Sequence, residues 1–288
     1  MAERRRRPLL ERLGLRPRPP VVPVVRLSGV IGGAPGPSLR ATGLTLAGIN
    51  PALERAFKTR GAKAVALAVN SPGGSPVQSA LITARIRALA AEKKLPVLAF
   101  IEDVGASGGY WLALAGDEVF ADASSIVGSI GVIHASFGLH AAIERLGVER
   151  RIHTAGAKKG LLDPFEPQDP EDVERLQAIL HDVHASFKAM VRERRGARLT
   201  ADDAEVFEGQ VWTGRRAQEL GLIDGLGSLH GILQERFGAK VRLPQISPSR
   251  SWLQRRLGFG HLRLEPDALV DGLLDRLAER ALWARYGL

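Results

Sequence analysis

The sequence predicts an α/β protein, and three observations carry that expectation. Short apolar runs at 22–27, 65–69, 97–100 and 119–121 have the length of buried strands, with helical stretches between them. Two of these runs break at glycine-rich corners just before a helical pattern begins. Between 170 and 195, Leu176, Ile179, Leu180, Val183, Phe187, Met190 and Val191 recur at helical spacing and predict one long helix with an apolar stripe, for core or a subunit interface. With 288 residues, 45% hydrophobic and 25% charged, the chain can bury a substantial core, and its length allows one or two domains.

The run at 65–69 reads as a strand that Asn70-Ser71-Pro72-Gly73-Gly74-Ser75 interrupts. Pro72 fixes one backbone angle and removes a donor, while Gly73 and Gly74 let the backbone come close to a ligand. A helix follows from about 77 to 93, with Leu81, Ile82, Ile86, Leu89 and Ala90 on one face. The second corner, Asp103-Val104-Gly105-Ala106-Ser107-Gly108-Gly109-Tyr110-Trp111, presents one hydroxyl among small residues between two apolar runs. A helix starting there would aim its free N–H groups at Ser107. Two readings stay open at this point: a nucleophile beside an oxyanion site, on the logic of a strand-to-helix elbow, or a tight turn whose serine caps a helix. Each corner could lend one amide to a developing oxyanion, a donor typically worth about 2.7–4 kcal/mol.

A serine nucleophile needs a base. Of seven histidines, His181 and His184 fall on the long helix and His230 and His261 in polar or terminal contexts. His134, after Ile126-Val127-Gly128-Ser129-Ile130-Gly131-Val132-Ile133, is the histidine candidate. Lysine is the other option, because an apolar cleft disfavours the ammonium form, and Ser–Lys pairs are a known arrangement. Lys158 and Lys159 stand among small and apolar residues in Ala155-Gly156-Ala157-Lys158-Lys159-Gly160-Leu161-Leu162-Asp163-Pro164-Phe165, and composition alone reads both as solvated. Thr200-Ala201-Asp202-Asp203 and Thr213 predict helix starts, with Gly221 as a stop.

Several classes are excluded or disfavoured. Cysteine is absent, so there is no disulfide, thiolate nucleophile or Cys–zinc site. No G-x-x-x-x-G-K-[ST] or G-x-G-x-x-G is present, and Gly29-Val30-Ile31-Gly32-Gly33 reads as a turn. The histidines form no H-E-x-x-H, so neither metal nor cofactor is expected. No run approaches the ~20 apolar residues needed to span a bilayer, and residues 1–20 are basic without an apolar signal core. These features predict a cytoplasmic chain with peripheral contact at the inner membrane face as an option. The formal net charge is +9, much of it in the N-terminal arm and around 250–263. Basic runs of this kind are solvated tails or lipid contacts, and no nucleic-acid motif accompanies them. Leu269, Val270, Leu273, Leu274, Leu277, Leu282 and Trp283 predict an amphipathic helix over 267–286.

The two corners, Val127-Gly128-Ser129-Ile130-Gly131-Val132, the segment Gly156 through Pro164, and Gly209-Gln210-Val211-Trp212-Thr213-Gly214 with Leu220-Gly221-Leu222-Ile223-Asp224 together resemble the serine peptidases of the signal peptide peptidase A type, family S49, in its short form. The resemblance covers about 22–237 and implies a Clp–crotonase-like spiral of ββα units with a C-terminal helical extension. On it, 1–20 is an arm, 21–240 the peptidase domain, and 241–288 a linker and helix. It implies Ser107 as nucleophile, Lys159 as base by the Gly-x-x-Lys pattern from Gly156, Ser129 holding the lysine amine, and the amides of Gly74 and Gly108 as oxyanion hole. Gly160 follows the lysine where relatives commonly carry aspartate. His134 lies near where Clp peptidases place their histidine. The resemblance also implies extended, largely apolar peptide substrates from signal peptides or membrane proteins, and a homo-oligomer whose subunits share active sites. A crotonase-like acyl-CoA enzyme would use similar amide pairs, but no CoA-phosphate signature is present, and an inactive scaffold would not keep Ser107, Ser129 and Lys159.

Overall fold

In β2 (Val65–Ser71) every residue from Val65 to Val69 is buried, as a strand covered on both faces requires. It lies between β1 (Val24–Ser28) and β3 (Val97–Ala106), all parallel. The computed structural model of the chain describes residues 19–32, 43–156, 158–247 and 280–287. An α/β architecture results, as the alternation of strand-like and helical runs predicts. Its eight-stranded sheet runs β6–β5–β3–β2–β1–β8, with β4 (Glu118–Ala121) on β3 and β7 (Gly225–Leu226) on β4. Among the described residues, only β6 (Val211–Thr213) is antiparallel, on β5 (Ile126–Gly128). The edge strand β8 (Gln245–Ile246) pairs with β1.

Strand alternation divides the core in two. Val25, Leu27, Val65, Leu67, Val69, Val97, Ala99 and Ile101 face α1 (Leu46–Phe57), α2 (Pro76–Lys93) and α3 (Gly108–Ala113). Val24, Ala66, Ala68, Leu98 and Phe100 face the other way, onto Phe120 and Leu233 of α8 (Leu229–Phe237). Phe100 and Phe120 stack there at 5.3 Å.

The strand β3 serves two neighbours in succession. Leu98 to Ile101 pair with β4, and Val104 to Ala106 pair with β5. Between them lies a bulge: two steps along β2, from Val69 to Ser71, oppose four along β3, from Ile101 to Gly105. The sheet therefore splits just before the second glycine-rich corner.

The remaining elements are α4 (His140–Arg145), the long α5 (Pro170–Arg195), α6 (Asp203–Val206) and α7 (Gly214–Glu219). Asp169, Asp202 and Thr213 cap α5, α6 and α7 through their side chains. The stripe of α5 is filled only at its C-terminal end, where Phe187 and Val191 are buried, while Ile179 is 52% exposed. The expected C-terminal helix over 267–286 lies outside the described residues except for 280–284, which are helical, and the arm at 1–18 also lies outside them. Among the described residues, no helix is long and apolar enough to cross a membrane.

The C-terminal end of α5 is fastened by a buried ion pair. Arg195, 3% exposed, donates to the Gly221 carbonyl and to Asp224 Oδ2 at 2.8 Å, while Arg198 reaches Oδ1 at 3.0 Å and the Val119 amide reaches Oδ2 at 2.7 Å. Burial raises the pKa of Asp224, but the hydrogen bonds from Arg195 and Val119 and the two guanidinium charges outweigh it and leave it below the ordinary carboxylate value. A depressed folded-state pKa gives stability that is present above the unfolded value and lost as the pH falls through the folded one. In urea titrations, Asp224→Asn should lower the neutral plateau and remove much of the acid slope from about pH 5 downward. Arg195→Ala, which removes the buried partner and leaves Asp224 only Arg198 and the Val119 amide, should lose about 3 kcal/mol.

Candidate active site

The corner between β3 and α3 forces Ser107 into φ 51°, ψ −123°, a region that a residue with a side chain rarely occupies. The Ser107 amide donates to the Gly128 carbonyl at 2.8 Å and its carbonyl accepts from the Trp111 amide. Its hydroxyl makes no hydrogen bond among the described residues, and the side chain is partly exposed. The serine is therefore no helix cap. The strained backbone presents it outward instead.

Such a conformation persists only if its surroundings over-determine it. The helix α3 has six residues, too few to stand alone. Trp111 stacks on Phe187 of α5 at 4.6 Å, and Tyr110, fully buried, donates its hydroxyl to the Leu222 carbonyl at 2.7 Å. Arg194 donates to the Leu114 and Gly116 carbonyls at the helix end, and Thr83 of α2 donates to the Trp111 carbonyl.

The first corner packs against this one with no room for side chains. A Cβ on Gly73 would lie 2.8 Å from the Ser107 Cβ, one on Gly109 2.2 Å from the Ser71 carbonyl oxygen, and one on Gly74 2.1 Å from the Ile31 carbonyl oxygen. Gly73 and Gly74 also take φ of 107° and 139°, which glycine alone adopts easily. Among the described residues, the amides of Gly74 and Gly108 have no acceptor. Gly74 belongs to the first corner, and Gly108 directly follows Ser107 at the second.

Ser129 arrives through the sheet. Ala106 pairs with Gly128, so Ser107 and Ser129 each follow a paired position on neighbouring parallel strands. Ser129 also has a positive φ, 53°, and is held by its amide to the Gln210 carbonyl. A Cβ on Gly128 would strike the Trp212 ring at 2.6 Å, so the closing segment seats the loop.

Both candidate bases lie on an arm, residues 131–169, that is open to solvent. Among the described residues from 131 to 169, none is buried, and both His134 and Lys159 are exposed there. This arm has its own bonds: Arg150 pairs with Asp163 and lies over the Phe165 ring at 4.8 Å, and Lys158 pairs with Glu171 at 2.7 Å. Lys159 has no side-chain partner among the described residues; its amide donates to the Gly156 carbonyl at 3.2 Å, closing a turn. The arm also exposes apolar side chains, with Ile133 69%, Phe137 84% and Leu146 77% accessible. Among the described residues, no group of three His, Asp or Glu is arranged to hold a metal ion.

Residues 89–238 match the profile of peptidase family S49. A putative protease of Synechocystis is 32% identical over 260 residues, covering 87% of this chain and 91% of that protein. The chain belongs to peptidase family S49. The chloroplastic serine protease SPPA of Arabidopsis thaliana is 30% identical over 266 residues, 89% of this chain and 39% of its own length. A Brucella melitensis protein named as a Na(+)/H(+) antiporter is 52% identical over 274 residues, 93% of this chain and 37% of its own length. The chain thus spans well under half of these last two relatives, and most of the Brucella protein lies outside the match.

Within this S49 chain, residues other than the motif serines and glycines shape the corner; the sequence names Tyr110, Phe187 and Trp212 without this role, and Thr83 and Arg194 not at all. Tyr110, Thr83, Arg194 and Phe187 clamp α3, and Trp212 seats Gly128. Spacing shows Phe187 only as part of an apolar stripe, and no spacing rule gives the partner of any of them, since each acts across tens of residues. A strained serine predicts an unusual stability order: Ser107→Gly should be more stable than Ser107→Ala by about 1 kcal/mol, because glycine relieves the positive φ that alanine keeps. Urea denaturation of the two variants measures this, and the usual preference for alanine should be reversed.

Proposed function

We propose that the chain is a serine endopeptidase using a Ser–Lys dyad on extended, largely apolar peptides such as signal-peptide or membrane-protein fragments. The backbone of Ser107 carries this reading: a serine held at positive φ, its hydroxyl unpaired, beside two amides without acceptors. Relatives named as a serine protease and as a putative protease support it. Exposed Val77 and Leu81 on α2, just beyond the Gly73-Gly74 corner, offer apolar surface for a substrate.

In this reading Ser107 Oγ attacks the scissile carbonyl carbon while its proton passes to a neutral Lys159 amine. Ser129 Oγ accepts a hydrogen bond from that amine and orients it. The tetrahedral oxyanion is held by the Gly74 and Gly108 amides. Collapse breaks the C–N bond, the lysine proton leaves with the amine, and an acyl ester remains on Ser107. Water then gives a proton to Lys159 and attacks the ester carbonyl; collapse breaks the ester C–O bond, the lysine proton passes to Ser107 Oγ, and the acid is released.

Lys159 is exposed in a single chain, and desolvation is what favours the neutral amine. Covering the arm with a second copy would supply it, so the subunits of a homo-oligomer would complete each other's sites. The exposed Ile133, Phe137 and Leu146 support that arrangement.

A fluorophosphonate should label Ser107, with no adduct in Ser107→Ala and at least about 100-fold slower labelling in Lys159→Ala. If His134→Ala abolishes labelling and Lys159→Ala does not, the base is His134. Mixing Ser107→Ala with Lys159→Ala chains should regain peptide hydrolysis, and no recovery would place the whole site within one chain.

A further inference from the structure

Of the sequence motifs, Asn70 of the first corner has no part in the chemistry, yet its side chain occupies a decisive place. It stands on β2 opposite the bulge where β3 leaves β4 and joins β5. A bulge leaves backbone groups without ladder partners, and buried groups of that kind must find others. Asn70 Oδ1 accepts from the Val104 amide at 3.1 Å, and its Nδ2 donates to Asp103 Oδ2 at 2.7 Å. With a carboxylate on one side and an N–H on the other, the carboxamide has one satisfactory orientation. The opposite flank is held by Ser125, 3% exposed, whose hydroxyl donates to the Glu102 carbonyl and accepts from the Asp122 amide at 3.0 Å.

We propose that Asn70 and Ser125 are positioning residues for the Ser107 site: together they brace the β3 bulge and so fix where Gly105-Ala106-Ser107 points. The proposal rests on the reading of Ser107 as nucleophile. Val104 begins the pairing with β5 that ends at Ala106 and Gly128, and the Gly128 carbonyl then holds the Ser107 amide. A bulge that slips moves this whole segment against Gly74, whose own place is set separately by Ile31. The serine and the oxyanion amides would then lose their mutual geometry while the peptide-binding surface stays intact.

An exchange of roles between Asn70 and Asp103 tests this. Asn70→Asp keeps size and the acceptor for Val104 but sets a carboxylate against Asp103. Adding Asp103→Asn restores a donor–acceptor pair in reversed order. In the full chain, Asn70→Asp should slow both kcat for a fluorogenic peptide and fluorophosphonate labelling by about 100-fold, the effect of roughly 1 Å of misplacement, with KM little changed. The double variant should recover most of that loss, and Ser125→Ala should also lower kcat rather than raise KM. Amide hydrogen exchange over 101–107 should speed up in Asn70→Asp and slow again in the double variant. Wild-type kcat in Asn70→Asp, or a double variant as slow as the single one, would overturn the brace. If wild-type Ser107 takes no label, the nucleophile reading falls. The exchange experiment still judges the brace, and unchanged protection in Asn70→Asp would overturn it.

Discussion

Two backbone segments approach each other more closely than any pair of side chains permits, and the rest of the molecule is arranged around that approach. Gly73 lies against the Ser107 side chain and Gly109 against the Ser71 carbonyl. The contact joins the end of β2 to the start of α3, so both glycine-rich corners become one surface. Ser107 is held at positive φ on that surface by a bond from the neighbouring strand and by the burial of Tyr110 and Trp111. A conformation of this kind costs of order 1–3 kcal/mol, and the core that surrounds α3 offsets it. Packing on one side of the sheet and strain at its end are therefore two aspects of one arrangement.

The body and the arm contrast physically. In the body, β2 and β3 are buried on both faces and α3 is locked by an aromatic stack and four side-chain hydrogen bonds to carbonyls. From 131 to 169 the described residues are held mostly by ion pairs and a cation–π contact, with apolar side chains left in water. Exposed ion pairs contribute little, commonly below ~1 kcal/mol. An arm held so lightly gains most of its definition from whatever covers it. The half-filled stripe of α5 belongs to the same surface logic, since its N-terminal portion rises alongside the arm with Ile179 exposed.

Much of the fold was legible in the sequence because its signals are local. The helix over 170–195 announces itself by periodicity, and β2 by an unbroken apolar run that suits a doubly covered strand. Both corners were visible because glycine pairs and proline mark places where backbone must turn or pass closely. The nucleophile candidate was legible for the same reason, although spacing alone left a capping serine equally open. The φ of Ser107 and its unpaired hydroxyl rule against the cap. The bulge in β3 was not legible, since Glu102-Asp103 marks an interruption of the apolar run without saying that the strand continues past it. Its cause lies on β2 and in the change of partner from β4 to β5. The bases were named from pattern and resemblance, and one chain leaves both on the arm, where sequence cannot say what stands opposite.

The clamp on α3 also sets the order in which the molecule can be finished. The Tyr110 hydroxyl is bonded to a carbonyl 112 residues further along, and the Val119 amide to a carboxylate 105 residues further along. Contacts that span such distances close late, because the loop entropy must first be met. A chain still leaving the ribosome has both glycine corners long before it has Leu222 and Asp224. The clamp on α3 is thus completed only once Leu222 and Asp224 have joined the fold, well after both corners have been made.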